Sequence, residues 1–354
     1  MSNKPLVSIV IPNFNYGLFL KDAITSALNQ TYPNTEVIVV DDGSTDNSRE
    51  VIAGYGSRIV PVLKRNGGRG SAIDEGFLAS SGDIVCFLDS DDVWLPHKVE
   101  RIVAVFEKYP EVGWVRHNLE MVDEHLRALE GGSVFAGSAR LEHGSYLMPL
   151  DPYLYLERRS TMINSTGLAL RREAVFDLFP MHDVLESYIG HRVQKLADHP
   201  DSYINIMLGA KGIQGYYVGE VLAYYRQHQL QEFNTPDDPA EMLRREIDVG
   251  ELGSVVWSNE MGMKRQGTHV YKHYLVLDVL QGEPLWGLKR WITLARGLTG
   301  ATKLAPKNSK LALRQSLALL FAFMAPHLWM KRWLGYKVSP EVSREGGANL
   351  GESS

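Results

Sequence analysis

The chain holds 354 residues, more than the roughly 100–200 of one ordinary domain, so one large domain with additions or two domains are expected. Its 44% hydrophobic and 22% charged residues can build a core, which excludes a largely disordered or low-complexity protein. A net charge of −5 gives no overall case for nucleic-acid binding, and the single cysteine, Cys86, excludes an internal disulfide or a multi-cysteine metal centre and suits a reducing compartment.

In chain order, Met1–Pro5 is polar and the apolar run that follows is too short for a signal peptide, so the expected location is cytoplasmic. Leu6–Ile11 reads as a strand buried on both faces and ended by Pro12. Leu18–Asn29 places Leu20, Ile24, Ala27 and Leu28 at helical spacing and stops at Thr31–Tyr32–Pro33. Glu36–Val40 is a second buried strand, and its Asp41–Asp42–Gly43–Ser44–Thr45–Asp46 sequel suits a turn and helix cap before a helix over 47–54. Ile59–Leu63 is a third strand, Ser71–Ser80 a helix opened by a glycine-rich turn, and Ile84–Leu88 a fourth strand leading to Asp89, Asp91 and Asp92. This alternation predicts an α/β fold on a parallel sheet with right-handed crossovers, whose ligands bind beyond the carboxyl ends of the strands.

The middle is less regular. Strands are expected at Val112–Asn118, Gly167–Arg171 and Val221–Tyr225, a helix over 202–210, and a loop-rich insertion from the first of these strands to about Ser160. Thr235–Pro239 reads as a linker and 241–283 as mostly helical. Between Pro284 and Ser339 stand ten Lys or Arg and no Asp or Glu, among Trp286, Trp291, Phe321, Phe323, Trp329, Trp333 and Tyr336. The most apolar stretch there, Leu317–Met330, is broken by Pro326 and His327 and falls short of the roughly 18 residues of a membrane span. Residues 339–354 are expected to form a disordered tail.

The strongest local signal is Asp89–Ser90–Asp91–Asp92. On an extended strand Asp89 and Asp91 share a face, and a turn can bring Asp92 alongside. Carboxylates so close repel unless a cation or hydrogen-bond donors compensate, and hard oxygen ligands suit Mg²⁺ or Mn²⁺ on a diphosphate. The competing explanation is a turn and cap ahead of Trp94–Leu95–Pro96. Asp42 can accept an imide hydrogen from a base and Phe14 can stack on one, although helix capping explains Asp41 and Asp42 equally well. The Asn66–Gly67–Gly68–Arg69–Gly70–Ser71 turn allows close backbone approach, with Arg69 near a phosphate or sugar.

Val7–Asn15, Leu28–Pro33, Val37–Asp46, Asn66–Ala72 and Phe87–Pro96 together resemble the family 2 glycosyltransferases of the GT-A fold. The resemblance covers about residues 5–115 and returns, more weakly, over 165–230. It implies an α/β, Rossmann-like, mostly parallel sheet flanked by helices, here with a C-terminal helical extension. It also implies inverting transfer of a sugar from a nucleotide-sugar donor, with a weak preference for a uridine base, to an acceptor hydroxyl, with Mg²⁺ or Mn²⁺ on the diphosphate. By this resemblance Asp91 and Asp92 touch ribose and metal with Asp89 as support, Asp42 meets the base, and Pro12, Phe14 and Asn15 line the donor site with Arg69. The catalytic base, which must take the acceptor's proton opposite the leaving diphosphate, falls on Asp201 when counted back from Gly212. Pro200 stands where the family usually has Glu, which leaves Asp198 as a rival and leaves Asp201 open to a capping role. Leu222–His228 resembles the family's Tyr-Arg-x-His stretch and makes His228 a candidate metal or diphosphate ligand.

The expected organisation is a catalytic domain over 1–234, with a nucleotide-sugar-binding half (5–115) and an acceptor-binding half (116–234), then a basic, aromatic helical extension over 240–338. That extension suits contact with an anionic membrane surface through 284–338, and equally a pair of helices packed on the protein itself. A membrane-side active site suits a lipid-linked acceptor in glycan or glycolipid assembly. Two rivals remain: a nucleotide-sugar-binding scaffold without acceptor chemistry, and a nucleotidyltransferase, whose basic phosphate loop is not seen after Ile11.

Overall fold

A computed structural model describes residues 4–133, 145–148, 165–189, 199–231 and 309–326, with short pieces at 244, 247–249, 252–253, 255–256, 291–296, 298 and 328. Asp198, the linker at 235–239, most of the insertion after residue 133, about two thirds of the extension and the whole tail lie outside them. The chain divides into two compact units, Met1–Thr235 and Pro236–Ser354.

In the first unit, β1 (Val7–Asn13), β2 (Thr35–Asp41), β3 (Val60–Leu63) and β4 (Ile84–Phe87) run parallel in the order β3-β2-β1-β4, as the alternation predicts. Helices α1 (Gly17–Leu28), α2 (Ser48–Ala53) and α3 (Arg69–Ala79) make the crossovers. Every residue of β1 and β4 is buried, which is why they read as continuous apolar runs. Pro12 does not end β1 but sits inside it, paired with Val40 of β2. The ladder explains this. Odd-numbered residues of β1 face β2, as Val7 and Asn13 do, while Val10 accepts from Leu88 on the β4 side. Pro12 therefore turns its missing N–H toward β4, where that strand has already ended.

Packing of α3 onto this sheet needs a glycine, since a Cβ at Gly76 would collide with the Val10 and Val40 side chains. The helix begins two residues earlier than expected, because Gly68, at φ +86°, turns the chain directly into it and makes Arg69 its first residue. Beyond β4, helix α4 (Lys98–Lys108) buries Val99, Ile102, Val103 and Phe106, one face at helical spacing that the sequence reading overlooked.

The sheet then continues in a different sense. Strand β9 (Leu168–Arg171) lies antiparallel between β4 and β6 (Trp114–Val122), and β10 (Gly215–Arg226) runs parallel to β6. The two-residue β5 (Val93–Trp94) and β8 (Tyr146–Leu147) join β10, while β7 (Ala128–Ser133) folds back on β6. Strand β10 is longer than Val221–Tyr225, the stretch apparent from its apolar pattern. Short helices α5 (Arg172–Val175) and α6 (Met181–Ile189) precede α7 (Pro200–Ala210), which opens with Pro200 at its first position and Asp201 in its first turn. Thus β9 sets Ser165 and Thr166, at its entry, beside the end of β4, and α7 delivers Asp201 to the same edge.

Candidate active site

The ends of β1 and β2 are stitched by short-range contacts. Asn13 Nδ2 donates to Asp41 Oδ1 and to Ser44 Oγ, each at 3.2 Å. Asn15, at φ +57°, donates its N–H to Ser44 Oγ at 2.9 Å and accepts the Thr45 N–H at 2.8 Å. Burial alone would raise the Asp41 pKa, but hydrogen bonds from Ser44, Arg49 and Asn13 outweigh it and hold the carboxyl below its usual value. Asp42 accepts from Lys64 Nζ at 2.7 Å and from the Gly67 and Gly68 N–H groups, both at 2.9 Å. Its carboxylate thus pins the glycine-rich turn beside the strand end. Phe14, at 43% exposure, leaves a ring face open for stacking, whereas Pro12 is buried in β1.

A second network gathers at the end of β4. Arg69 Nη1 donates to Asp201 Oδ2 at 3.1 Å, while its Nη2 reaches Asp89 Oδ1 at 3.0 Å, Asp89 Oδ2 at 3.2 Å and Ser165 Oγ at 2.7 Å. Ser165 Oγ in turn donates to Asp89 Oδ1 at 2.6 Å. Thr166 Oγ1 accepts the Asp89 N–H at 3.1 Å and donates to Asp92 Oδ2 at 2.5 Å. The other Asp92 oxygen takes the Arg226 N–H at 2.9 Å. Asp91 points elsewhere, its Oδ2 lying 3.1 Å from His228 Nε2. The His228 ring packs on Phe19 with centroids 4.3 Å apart and meets Tyr16 edge-on.

Asp92, expected as a metal ligand, is fully buried, and its two oxygens are engaged by Thr166 and the Arg226 N–H. Burial, with Asp91 and Asp89 nearby, pushes it well above the usual carboxylate range. Among the described residues no three His, Cys, Asp or Glu side chains form a ready-made metal cage. What remains is the Asp91–His228 pair. Two protein donors suffice for a hard cation that completes its shell with water and phosphate oxygens, so the pair fits Mg²⁺ or Mn²⁺.

Asp201 is held by Arg69, which also binds Asp89. Burial pushes its pKa up to about 6, against the opposing pull of Arg69 and with a further push from Asp89. Its Oδ1 has no hydrogen-bond partner among the described residues. A carboxylate held by one oxygen, with the other buried and unpartnered among the described residues and its pKa raised by burial, is a candidate general base.

Sequence reasoning missed Ser165 and Thr166, both buried, and Tyr225, whose hydroxyl pKa burial and the Asp92, Asp91 and Asp89 carboxylates push upward. The only local sign of the hydroxyl pair is its place just ahead of a short apolar strand. Its function depends on β9 lying next to β4, which no nearby residue reveals.

Residues 8–179 match the family described as glycosyl transferase family 2. This part of the chain resembles the family 2 glycosyltransferases. An uncharacterised glycosyltransferase of Nostoc sp. is 37% identical over 227 residues, covering 63% of this chain and 65% of its own length. The Bacillus subtilis protein TuaG, named for teichuronic acid biosynthesis, is 39% identical over 102 residues, 28% of this chain and 40% of its own. The chain therefore spans less than two thirds of the length of either relative. Staphylococcus aureus TarS, solved with UDP, aligns with a TM-score of 0.55 at 15% identity over 99% of this chain and 94% of the TarS chain, a likeness of fold. Every carboxylate of the Asp89–Asp92 motif, as well as Asp42 and Arg69, falls inside the matched family 2 region. Asp201 and His228 lie beyond its end.

Proposed function

We propose that this protein transfers a glycosyl group from a nucleotide-sugar, UDP-linked by preference, to an acceptor hydroxyl with inversion at the anomeric carbon. The observation that carries the reading is the Arg69 bridge, which ties Asp201 to Asp89 and so joins a carboxylate of raised pKa to the acidic end of β4. In the donor site Phe14 stacks on the base, Asp42 shapes the turn beside it, and Asn15 fixes the adjoining loop. Asp91 and His228 would hold Mg²⁺ or Mn²⁺, which would supply positive charge opposite the leaving diphosphate. Asp201 takes the proton of the acceptor hydroxyl as its oxygen bonds to the anomeric carbon. The bond from that carbon to the diphosphate oxygen breaks, and the nucleoside diphosphate leaves with the electron pair. Arg69 keeps Asp201 aimed and ionised until the acceptor arrives.

TarS was solved with UDP and with UDP-GlcNAc, which supports the choice of a uridine donor. The TuaG name supports a place in polysaccharide biosynthesis, and the reading adds a lipid-linked acceptor and contact with the cytoplasmic face of a membrane. Among the described residues no helix is long and apolar enough to cross a membrane. The test is nucleoside diphosphate release from UDP-, GDP- and dTDP-sugars with Mn²⁺ or Mg²⁺ and a lipid extract as acceptor source. Metal-dependent release from a UDP-sugar, abolished in Asp91→Asn, is expected. Release without added metal and undiminished in Asp91→Asn would reject the mechanism, and nucleotide binding without any turnover would favour a binding protein.

A further inference from the structure

The C-terminal unit carries a helix, α8 (Ser309–Met324), that is apolar on two opposite faces. One face is packed: Leu319, Ala322 and Phe323 are buried, and the Trp291 ring lies on Phe323 with centroids 4.5 Å apart. The other face is open. Leu313, Leu317, Leu320, Phe321 and Met324 are between 37% and 62% exposed. At 3.6 residues per turn these five fall within an arc of about 100°, the width of the stripe by which an amphipathic helix normally meets its core. Leu328, one turn further on, is also exposed, as are Trp291 and Ile292. Isolated exposed leucines need no explanation, but a continuous stripe of this kind marks a surface awaiting a partner.

Charge indicates which partner. Ten of the chain's 37 Lys and Arg lie between Pro284 and Ser339, where there is no carboxylate, so 27 cations are left to face all 42 carboxylates in the remainder. A two-fold contact between copies would set this cationic segment against itself. A spanning helix needs about 20 apolar residues, more than the 16 of α8, and Pro326 follows. We infer that α8 lies in the plane of an anionic phospholipid bilayer, with Leu313, Leu317, Leu320, Phe321 and Met324 in the headgroup–acyl boundary and the cations of the 284–339 segment drawn to the lipid charge. This takes up the membrane contact of the function proposed above and assigns it to a specific face. Vesicle binding is read without donor or acceptor, so its failure and that of the transfer reaction are separately visible.

The experiment is flotation of the full-length protein with phosphatidylcholine vesicles, with and without 30% phosphatidylglycerol. Leu317→Glu/Phe321→Glu is run alongside, with light scattering and thermal melts on both proteins. These positions are exposed and outside the catalytic unit, so an unchanged melt and unchanged nucleoside diphosphate release are expected. Wild-type partitioning should rise at least tenfold with phosphatidylglycerol and fall about tenfold in 0.5 M salt, and the double variant should lose at least tenfold. Equal partitioning of wild type and variant, or no preference for phosphatidylglycerol, would overturn the inference. So would a wild-type dimer that the variant dissolves, because the stripe would then serve a second copy.

Discussion

The two acidic strand ends of the catalytic unit are built in opposite ways. At β2, Asp41 and Asp42 take their partners from nearby in sequence: Arg49 is 8 residues away, and Lys64, Gly67 and Gly68 lie 22 to 26 away. At β4, apart from Arg69, which is 20 residues from Asp89, the same residue type is held from afar. Ser165 is 76 residues from Asp89, while Thr166 and Arg226 are 74 and 134 from Asp92, and His228 is 137 from Asp91. The first arrangement forms a cradle within one βαβ segment. The second forms only when β9, α7 and β10 have all packed, so assembly of the catalytic groups requires the fold to be complete.

This contrast can be broken by substitution. The largest effect is expected at Thr166, which serves Asp89 and Asp92 together. Thr166→Val strands a buried carboxylate oxygen and a buried N–H at a cost of about 1–3 kcal/mol each, read as a fall in urea midpoint, and Thr166→Ser should recover most of it. A destabilisation by Val no greater than that by Ser would show that the hydroxyl contributes nothing.

Next comes Arg69, whose charge lowers the Asp201 pKa that burial has raised. Arg69→Met removes that pull. If Asp201 is the base, the acid limb of kcat/KM follows its deprotonation and should then move up by about one unit, because the base ionises only at higher pH. Asp89→Asn removes a charge that raises Asp201 and should shift the limb the other way.

The smallest effect belongs to the locally held end. The Arg49 side chain is 48% exposed, so Arg49→Ala should cost well under about 1 kcal/mol at pH 7. Asp41 has a lowered pKa in the folded protein, so its contribution is present above its unfolded value of about 3.8 and disappears as pH falls through the folded value. The wild-type and Arg49→Ala melts should therefore converge in acid.

How much of this was legible in the sequence follows the same division. Strands β1 to β4 and their helices are evident from continuous apolar runs punctuated by Pro, Gly and Asp. Pro12 misled because its tolerance depends on where the neighbouring strand stops. The amphipathic pattern of α4 was present but overlooked. Asp201 could be counted to from Gly212, yet its bond to Arg69 joins residues 132 apart and required the folded chain. Asp92 matches Asp91 in chemistry, and its burial against Thr166 and Arg226 could be seen only in the folded chain.

The most direct test of the central claim is the pH profile of transfer by wild type and Asp201→Asn, with nucleotide affinity measured on both. If Asp201 is the base, the wild-type rate rises through pH 6 and the variant loses about 10²–10⁴-fold at unchanged affinity. A variant within a few-fold of wild type, with the same acid limb, would contradict it.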